Sequence, residues 1–176
     1  ILIGGPPCQA YSVVGRSRNA GNKGYDSLKD HRNFLYLQYL KVLAKIKPAV
    51  FVMENVKGLN SAKVGGKRIV DQIFQDLSEP VKATSRDYGV KYALYSLSTH
   101  RKDLFGTMGM EFFDPRDFVV RCENYNIPQS RHRVIILGVR DDIRKTPRQL
   151  TTATEIRTVG NAIRDLPHLR SGITGE

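Results

Sequence analysis

Pro48 is followed at once by Ala49-Val50-Phe51-Val52-Met53, a short and unbroken apolar run. A strand with one wet face alternates apolar and polar residues. An unbroken run is instead the pattern of a strand covered on both faces, as in sheets flanked by helices. The neighbouring segments fit that reading. Leu35, Tyr36, Tyr39, Leu40, Leu43 and Ile46 recur at three- and four-residue steps and form one apolar helix face, with Asp30 as a candidate N-cap and Pro48 as the stop. Ile69, Val70, Ile73, Phe74 and Leu77 mark a second helix, and Ile1–Ile3, bounded by glycines, reads as a strand end. Further on come strand-like Tyr92–Leu97, a polar stretch His100–Pro115, strand-like Asp117–Cys122, the strong strand Val134–Val139 and a short helix from Thr158 to Leu166. Strand, helix, strand, helix, then strands separated by loops, predicts an α/β sheet, parallel at first and antiparallel at its end.

The chain has 176 residues and 19.9 kDa, which suits a single domain, and 40% hydrophobic with 26% charged residues argues against disorder. No apolar run approaches the roughly 18 residues of a membrane helix, and no signal peptide opens the sequence. Cys8 and Cys122 form no CxxC pair, and His31, His100, His132 and His168 show no ligand spacing, so no metal is expected. Lys and Arg number 28 against 17 Asp and Glu, a net charge of +11. A polyanionic partner is the natural reading; a basic protein with no nucleic-acid role is the bland one. The sequence opens without Met and closes without an element signal, so it reads as cut from something longer.

Three polar clusters follow apolar runs, at positions read as loops, where ligands bind in open α/β sheets. The first is Gly4-Gly5-Pro6-Pro7-Cys8-Gln9, within a long glycine-rich loop: glycines allow a sharp turn and prolines stiffen the loop that presents a thiol. Cys8 is then a nucleophile or, more plainly, a small buried cysteine beside a turn. The second is Glu54-Asn55-Val56, with a carboxylate placed as a general acid or as a solvated turn residue. The third is Gln129-Ser130-Arg131-His132-Arg133. In an extended segment Arg131 and Arg133 share a face, which suits a phosphate or a carbonyl-bearing base, or else a solvated basic edge.

Together GGPPCQAYS (Gly4–Ser12), MENV (Met53–Val56) and PQSRHRV (Pro128–Val134) resemble the DNA (cytosine-5)-methyltransferases, in the family's order. The Thr158–Pro167 segment resembles the family's stretch after its last large-domain motif. The resemblance implies a Rossmann-like S-adenosylmethionine-dependent sheet. It also implies a mechanism in which Cys8 adds to carbon 6 of a flipped-out cytosine, Glu54 serves ring nitrogen 3, Arg133 holds the base carbonyl and Arg131 supports the Cys8–Glu54 surroundings. By the same resemblance Asn55 holds the proline–cysteine loop, the Pro6 carbonyl reads the exocyclic amine, and Pro7 and Gln9 support the loop. Ser12, Arg16 and Arg18, with Lys23 and Lys29, are expected against DNA phosphates. Pro6, Pro7 and Leu35 match positions near the cofactor.

The family's glycine-rich cofactor loop and target-recognition region find no counterpart. The expectation is a partial catalytic domain over 1–176, its sheet core in about 1–140 and a link in 141–176, inactive by itself. The implied parent is a restriction–modification enzyme of the bacterial cytoplasm acting on double-stranded DNA. The basic stretch 92–122 reads as an insertion or, less simply, a DNA contact. An exposed sheet edge offers a route to self-association. Two other readings stay open: a transfer-RNA cytosine methyltransferase, which lacks support because its Cys-Phe-Thr motif is missing, and a non-catalytic nucleic-acid-binding module.

Overall fold

A computed structural model describes residues 1–7, 35–64, 66–85, 87–98 and 114–167. Two compact units make up the chain: Ile1–Val120 with His132–Leu150, and Arg121–Arg131 with Thr151–Glu176.

The first unit holds a sheet of strands β1 (Leu2–Gly4), β2 (Val50–Val56), β7 (His132–Arg140) and β5 (Tyr92–Tyr95), paired in that order, and all but the last residue of β6 (Val119–Arg121), which also pairs with β7. β1 runs parallel to β2, whereas β7 is antiparallel to both β2 and β5. The expected α/β class, with its parallel start and antiparallel end, is therefore found. Helix α1 (Tyr36–Ile46) and helix α2 (Ile69–Ser78) supply the layer on one face. Tyr36, Leu40 and Leu43 of α1 and Ile73, Phe74 and Leu77 of α2 are buried in one cluster with Phe51, Met53, Val134 and Ile136. Each such side chain contributes roughly 1.5–3 kcal/mol of transfer free energy. The other face, carrying Val50, Val52 and Glu54, is only half-buried.

The chain reversal before β2 is pinned at several points. Lys47 ends α1 in the left-handed region at φ 50 and donates its N–H to the Leu43 carbonyl. Tyr92 Oη donates to the Pro48 carbonyl at 2.8 Å, and Arg140 Nη1 donates to the Lys47 carbonyl at 2.6 Å. Burial pushes the Tyr92 phenol up to about 12, so it stays a donor throughout the physiological range.

Several elements differ from the sequence reading. The proposed N-cap Asp30 lies outside the described residues. Glu54, Asn55 and Val56 are not in a loop; they continue β2, because the ladder with Ile135, Val134 and Arg133 extends over them. His132 and Arg133 likewise begin β7. Residues Pro115–Phe118 form a 3-10 turn where the sequence pattern places the start of a strand, since Pro115 cannot donate to a ladder and the Asp114 carboxylate caps Arg116 N at 2.9 Å. A hairpin, β3 (Lys63–Val64) with β4 (Lys67–Arg68), and a short helix α3 (Pro80–Ser85) have no counterpart in the sequence reading.

In the second unit, Cys122–Tyr125 forms a 3-10 turn ended by Asn126 at φ 62, and Cys122 N donates to the Arg131 carbonyl at 3.1 Å. Helix α4 (Val159–Ile163) is opened by a capping box between Thr158 and Asn161. No helix among the described residues is long and apolar enough to cross a membrane.

The tightest packing is between strands. Gly138 faces Phe51 across the β2–β7 ladder, and a Cβ at Gly138 would overlap the Phe51 ring. Gly138→Ala is expected to cost at least about 1–3 kcal/mol through overpacking. Urea unfolding measures it, and adding Phe51→Leu should recover part of the loss.

Candidate active site

The site forms where β1, β2 and β7 meet, at the carboxyl ends of the two parallel strands. Strand alternation puts Glu54 and Val56 on one face and Asn55 on the other. In the antiparallel register Glu54 stands opposite Ile135, and Val56 opposite Arg133. Glu54 and Arg133 are thus diagonal neighbours on the same half-open face, within reach of long side chains.

They meet there. Arg133 Nε lies 2.8 Å from Glu54 Oε1, with side-chain exposures of 22% and 42%. The buried Nε makes no directed hydrogen bond, so the contact is one of charge rather than of aligned donor and acceptor. Nη1 donates to the carbonyl of His132 at 2.8 Å, which leaves Nη2 without a partner among the described residues. Because both groups are partly solvated, the pair adds little to stability; its value is geometric.

Asn55 points the other way and is 3% exposed. Its Nδ2 donates to the Pro6 carbonyl at 3.3 Å, and its Oδ1 accepts from Val56 N at 2.9 Å. The side chain therefore ties β2 to the start of the proline loop. Gly5 supplies clearance: a Cβ there would come within 3.0 Å of Glu54 Oε2. Gly4 does the same for Tyr39 of α1, whose Cε2 would lie 2.7 Å from an added Cβ. Tyr39 Oη donates to the Val52 carbonyl at 3.2 Å, and burial raises its phenol well above the ordinary range. Sequence reasoning misses the roles of Gly5 and Tyr39; the glycine doublet is the available signal for the first, and nothing marks the second.

Of the residues singled out from the sequence, Pro6, Glu54, Asn55 and Arg133 come together. Arg131 is exposed, precedes β7 and belongs to the second unit, where its N–H donates to the Gln129 carbonyl at 2.8 Å. Cys8, Gln9, Ser12, Arg16 and Arg18, with Lys23 and Lys29, lie outside the described residues. Pro6 is buried, Pro7 exposed and Leu35 half-buried. Those three offer apolar contact but neither a carboxylate nor a side-chain donor for a charged nucleoside, so by themselves they do not form a pocket for S-adenosylmethionine. Among the described residues no three of His, Cys, Asp and Glu gather as a metal-binding group.

Asn55→Ala leaves the Pro6 carbonyl and the Val56 N–H without their buried partner. It is expected to cost about 1–3 kcal/mol, read as a lowered urea midpoint with an unchanged m-value.

The family described as C-5 cytosine-specific DNA methylase matches residues 1–99. The type II methyltransferase M.Bpa9945I of Bacillus paralicheniformis is 35% identical over 138 residues, which are 78% of this chain and 24% of that protein. M.AquIA of Picosynechococcus is 31% identical over 80% of this chain and 43% of its own length. M.DdeI of Desulfomicrobium norvegicum is 29% identical over 99% of this chain and 34% of its own. The chain thus spans between about a quarter and under half of these relatives. In fold it is similar to a crystal structure described as an Escherichia coli prophage DNA modification methyltransferase, with a TM-score of 0.54, 22% identity, and coverage of 95% of this chain and 35% of that one. With more than half of its length matched by the family and with these relatives, the chain belongs to the C-5 cytosine-specific DNA methylases.

Proposed function

We propose that this chain is the base-binding part of a DNA cytosine-5 methyltransferase. The observation that carries the reading is the Glu54–Arg133 pair at 2.8 Å on a half-open strand face, beside an Asn55 side chain that anchors Pro6. A carboxyl group and a guanidinium held side by side match what one edge of cytosine requires: a partner for ring nitrogen 3 and a donor to the adjacent carbonyl. Glu54 takes the first role, holding or giving the proton at nitrogen 3. Arg133 takes the second through its Nη2, which has no partner among the described residues. The Pro6 carbonyl already accepts from Asn55; its second lone pair is left for the exocyclic amine.

Asn55 acts through Pro6. By fixing that carbonyl it sets where Pro7 leads, and so where Cys8 is presented. Cys8 is assigned as the nucleophile that adds to carbon 6 and leaves when the carbon 5 proton is lost. Addition at carbon 6 builds negative charge on the ring, which Glu54 and Arg133 are placed to offset. The family's methyl donor is S-adenosylmethionine, and its pocket needs more than Pro6, Pro7 and Leu35. The target base leaves the duplex at a cost of a few kcal/mol, offset by phosphate contacts to which Arg16 and Arg18 and the hydroxyl of Ser12 are assigned. Arg131 is assigned a supporting role. The partner is double-stranded DNA, and the setting is a bacterial restriction–modification system in the cytoplasm. Self-association is assigned to the outer edge of β1.

The test uses the parent protein, extended at both ends, with labelled S-adenosylmethionine and with unmethylated duplex DNA and transfer RNA offered separately. Label should enter DNA cytosine, and Cys8→Ser should abolish it while salt-sensitive DNA binding stays nearly unchanged. Arg133→Ala and Glu54→Gln should each lower kcat by about 10²-fold or more, the range for loss of one positioned acid–base or charge-stabilising group. Label on transfer RNA alone, or full activity in Cys8→Ser, would refute the reading.

A further inference from the structure

The segment that leaves the carboxyl end of β2, straight after Glu54–Val56, carries charge the proposed chemistry does not use. It makes a 3-10 turn, Lys57–Ser61, then the β3–β4 hairpin. The root of the hairpin is fixed in the core. Leu59, Ala62 and Ile69 are buried, and Ile69 N donates to the Ala62 carbonyl at 3.1 Å to close the base. The tip stands in solvent. Gly66 turns the chain at φ 80, and a Cβ built there would meet nothing within 4 Å. Lys63, Lys67 and Arg68 are all exposed.

The register makes this arrangement costly when nothing is bound. Lys63 stands directly opposite Arg68, a like-charge cross-strand pair, and such pairs destabilise a hairpin. Asp71 offsets only Arg68, at 2.9 Å and with both groups about half exposed. Lys63 and Lys67 make no ion pair among the described residues. A tightly rooted tip that holds Lys63 against Arg68, with Lys63 and Lys67 in no ion pair among the described residues, is what an external polyanion would relieve. The hairpin follows in chain the strand that carries Glu54.

We propose that the Lys63–Arg68 hairpin is a DNA-backbone clamp, with Lys63 and Lys67 neutralising phosphates. This rests on the reading of the chain as acting on DNA. The hairpin supplies affinity and register rather than sequence choice, because phosphate contacts carry no base information.

The experiment compares binding of a fluorescent unmethylated duplex by the 176-residue chain, by Lys63→Ala/Lys67→Ala, and by Arg144→Ala/Lys145→Ala, across a salt series. The control pair removes equal charge beyond the far end of β7, which is roughly 23 Å from Arg133 at about 3.3 Å per residue. The hairpin variant should bind about tenfold more weakly at low salt. The magnitude of its log–log salt slope should fall by roughly 1 to 2, at about 0.9 for each phosphate no longer neutralised. The control should match the unsubstituted chain. The hairpin variant's Tm should be unchanged or higher, since a like-charge pair is gone. Equal weakening in both variants, an unchanged slope in the hairpin variant, or weakened binding accompanied by a lower Tm would each overturn the clamp while leaving the DNA reading in place. Failure of the unsubstituted chain to bind duplex at low salt would overturn the clamp and leave the DNA reading to the labelled methylation of the extended parent.

Discussion

The antiparallel β2–β7 ladder is the constraint on which the site depends. It pairs Val50 with Val139 at one end and Val56 with Arg133 at the other, and with a period of two it fixes which side chains share a face. Slipping β7 by one residue would send Arg133 to the face of Asn55, Met53 and Phe51, and leave Glu54 without a cation. The same slip would move Gly138 away from the Phe51 ring. The close fit of a ring over a glycine therefore enforces the same alignment that brings the two charged groups together, and core packing and site geometry are set by one choice.

Small residues recur wherever a bulky group must come close to the backbone. Gly4 admits the Tyr39 ring, Gly5 admits the Glu54 carboxylate, and Gly138 admits Phe51. Tyr39 also stacks edge-on with Phe51 at 6.3 Å, and Phe51 with Tyr92 at 5.1 Å. A line of aromatic contacts thus runs from the strand end that opens the proline loop to the turn at Pro48, where the Tyr92 hydroxyl is bonded. Rigid aromatic packing in this line holds the ends of β1 and β2 in place, which is what a positioned carboxylate needs.

The elements with long apolar periodicity are legible in the sequence: α1, β2, α2 and β7 lie where three- and four-residue recurrence or unbroken apolar runs put them. The ends of strands are not. Glu54, Asn55 and Arg133 look like loop residues because polarity in a strand is uncommon, and only the cross-strand partners and the bond from Asn55 to Pro6 explain it. The β3–β4 hairpin escapes a pattern reading because strands of two residues are too short to alternate; the Gly65-Gly66 pair is its only trace. The residue types of the site are legible as three motifs. Their pairing is not, since the meeting of Glu54 with Arg133 is a property of register between segments far apart in sequence. The assignment of Arg131 to the same face as Arg133 assumes an extended segment that, in the structure, begins only at His132.

Net charge alone would not locate a nucleic-acid surface, because several of the basic residues are already paired with an acid locally. Arg68 has Asp71, Lys82 and Lys91 share Glu79, Arg116 has Asp114, and Arg140 has Asp142. The Glu79 carboxyl is held below its usual range by Lys91 first and then Lys82, and Asp142 by Arg140. These exposed pairs are screened by salt and contribute little energy, yet they decide where the protein's field is cancelled and where it persists. It persists at cations that make no ion pair among the described residues, Lys63 and Lys67 included, on the segment that continues from the strand bearing Glu54. An excess of +11 thus becomes directional: anions are drawn most strongly to patches where basic residues stand without an acidic partner, and among the described residues one such patch is the hairpin that follows the strand bearing Glu54 in the chain.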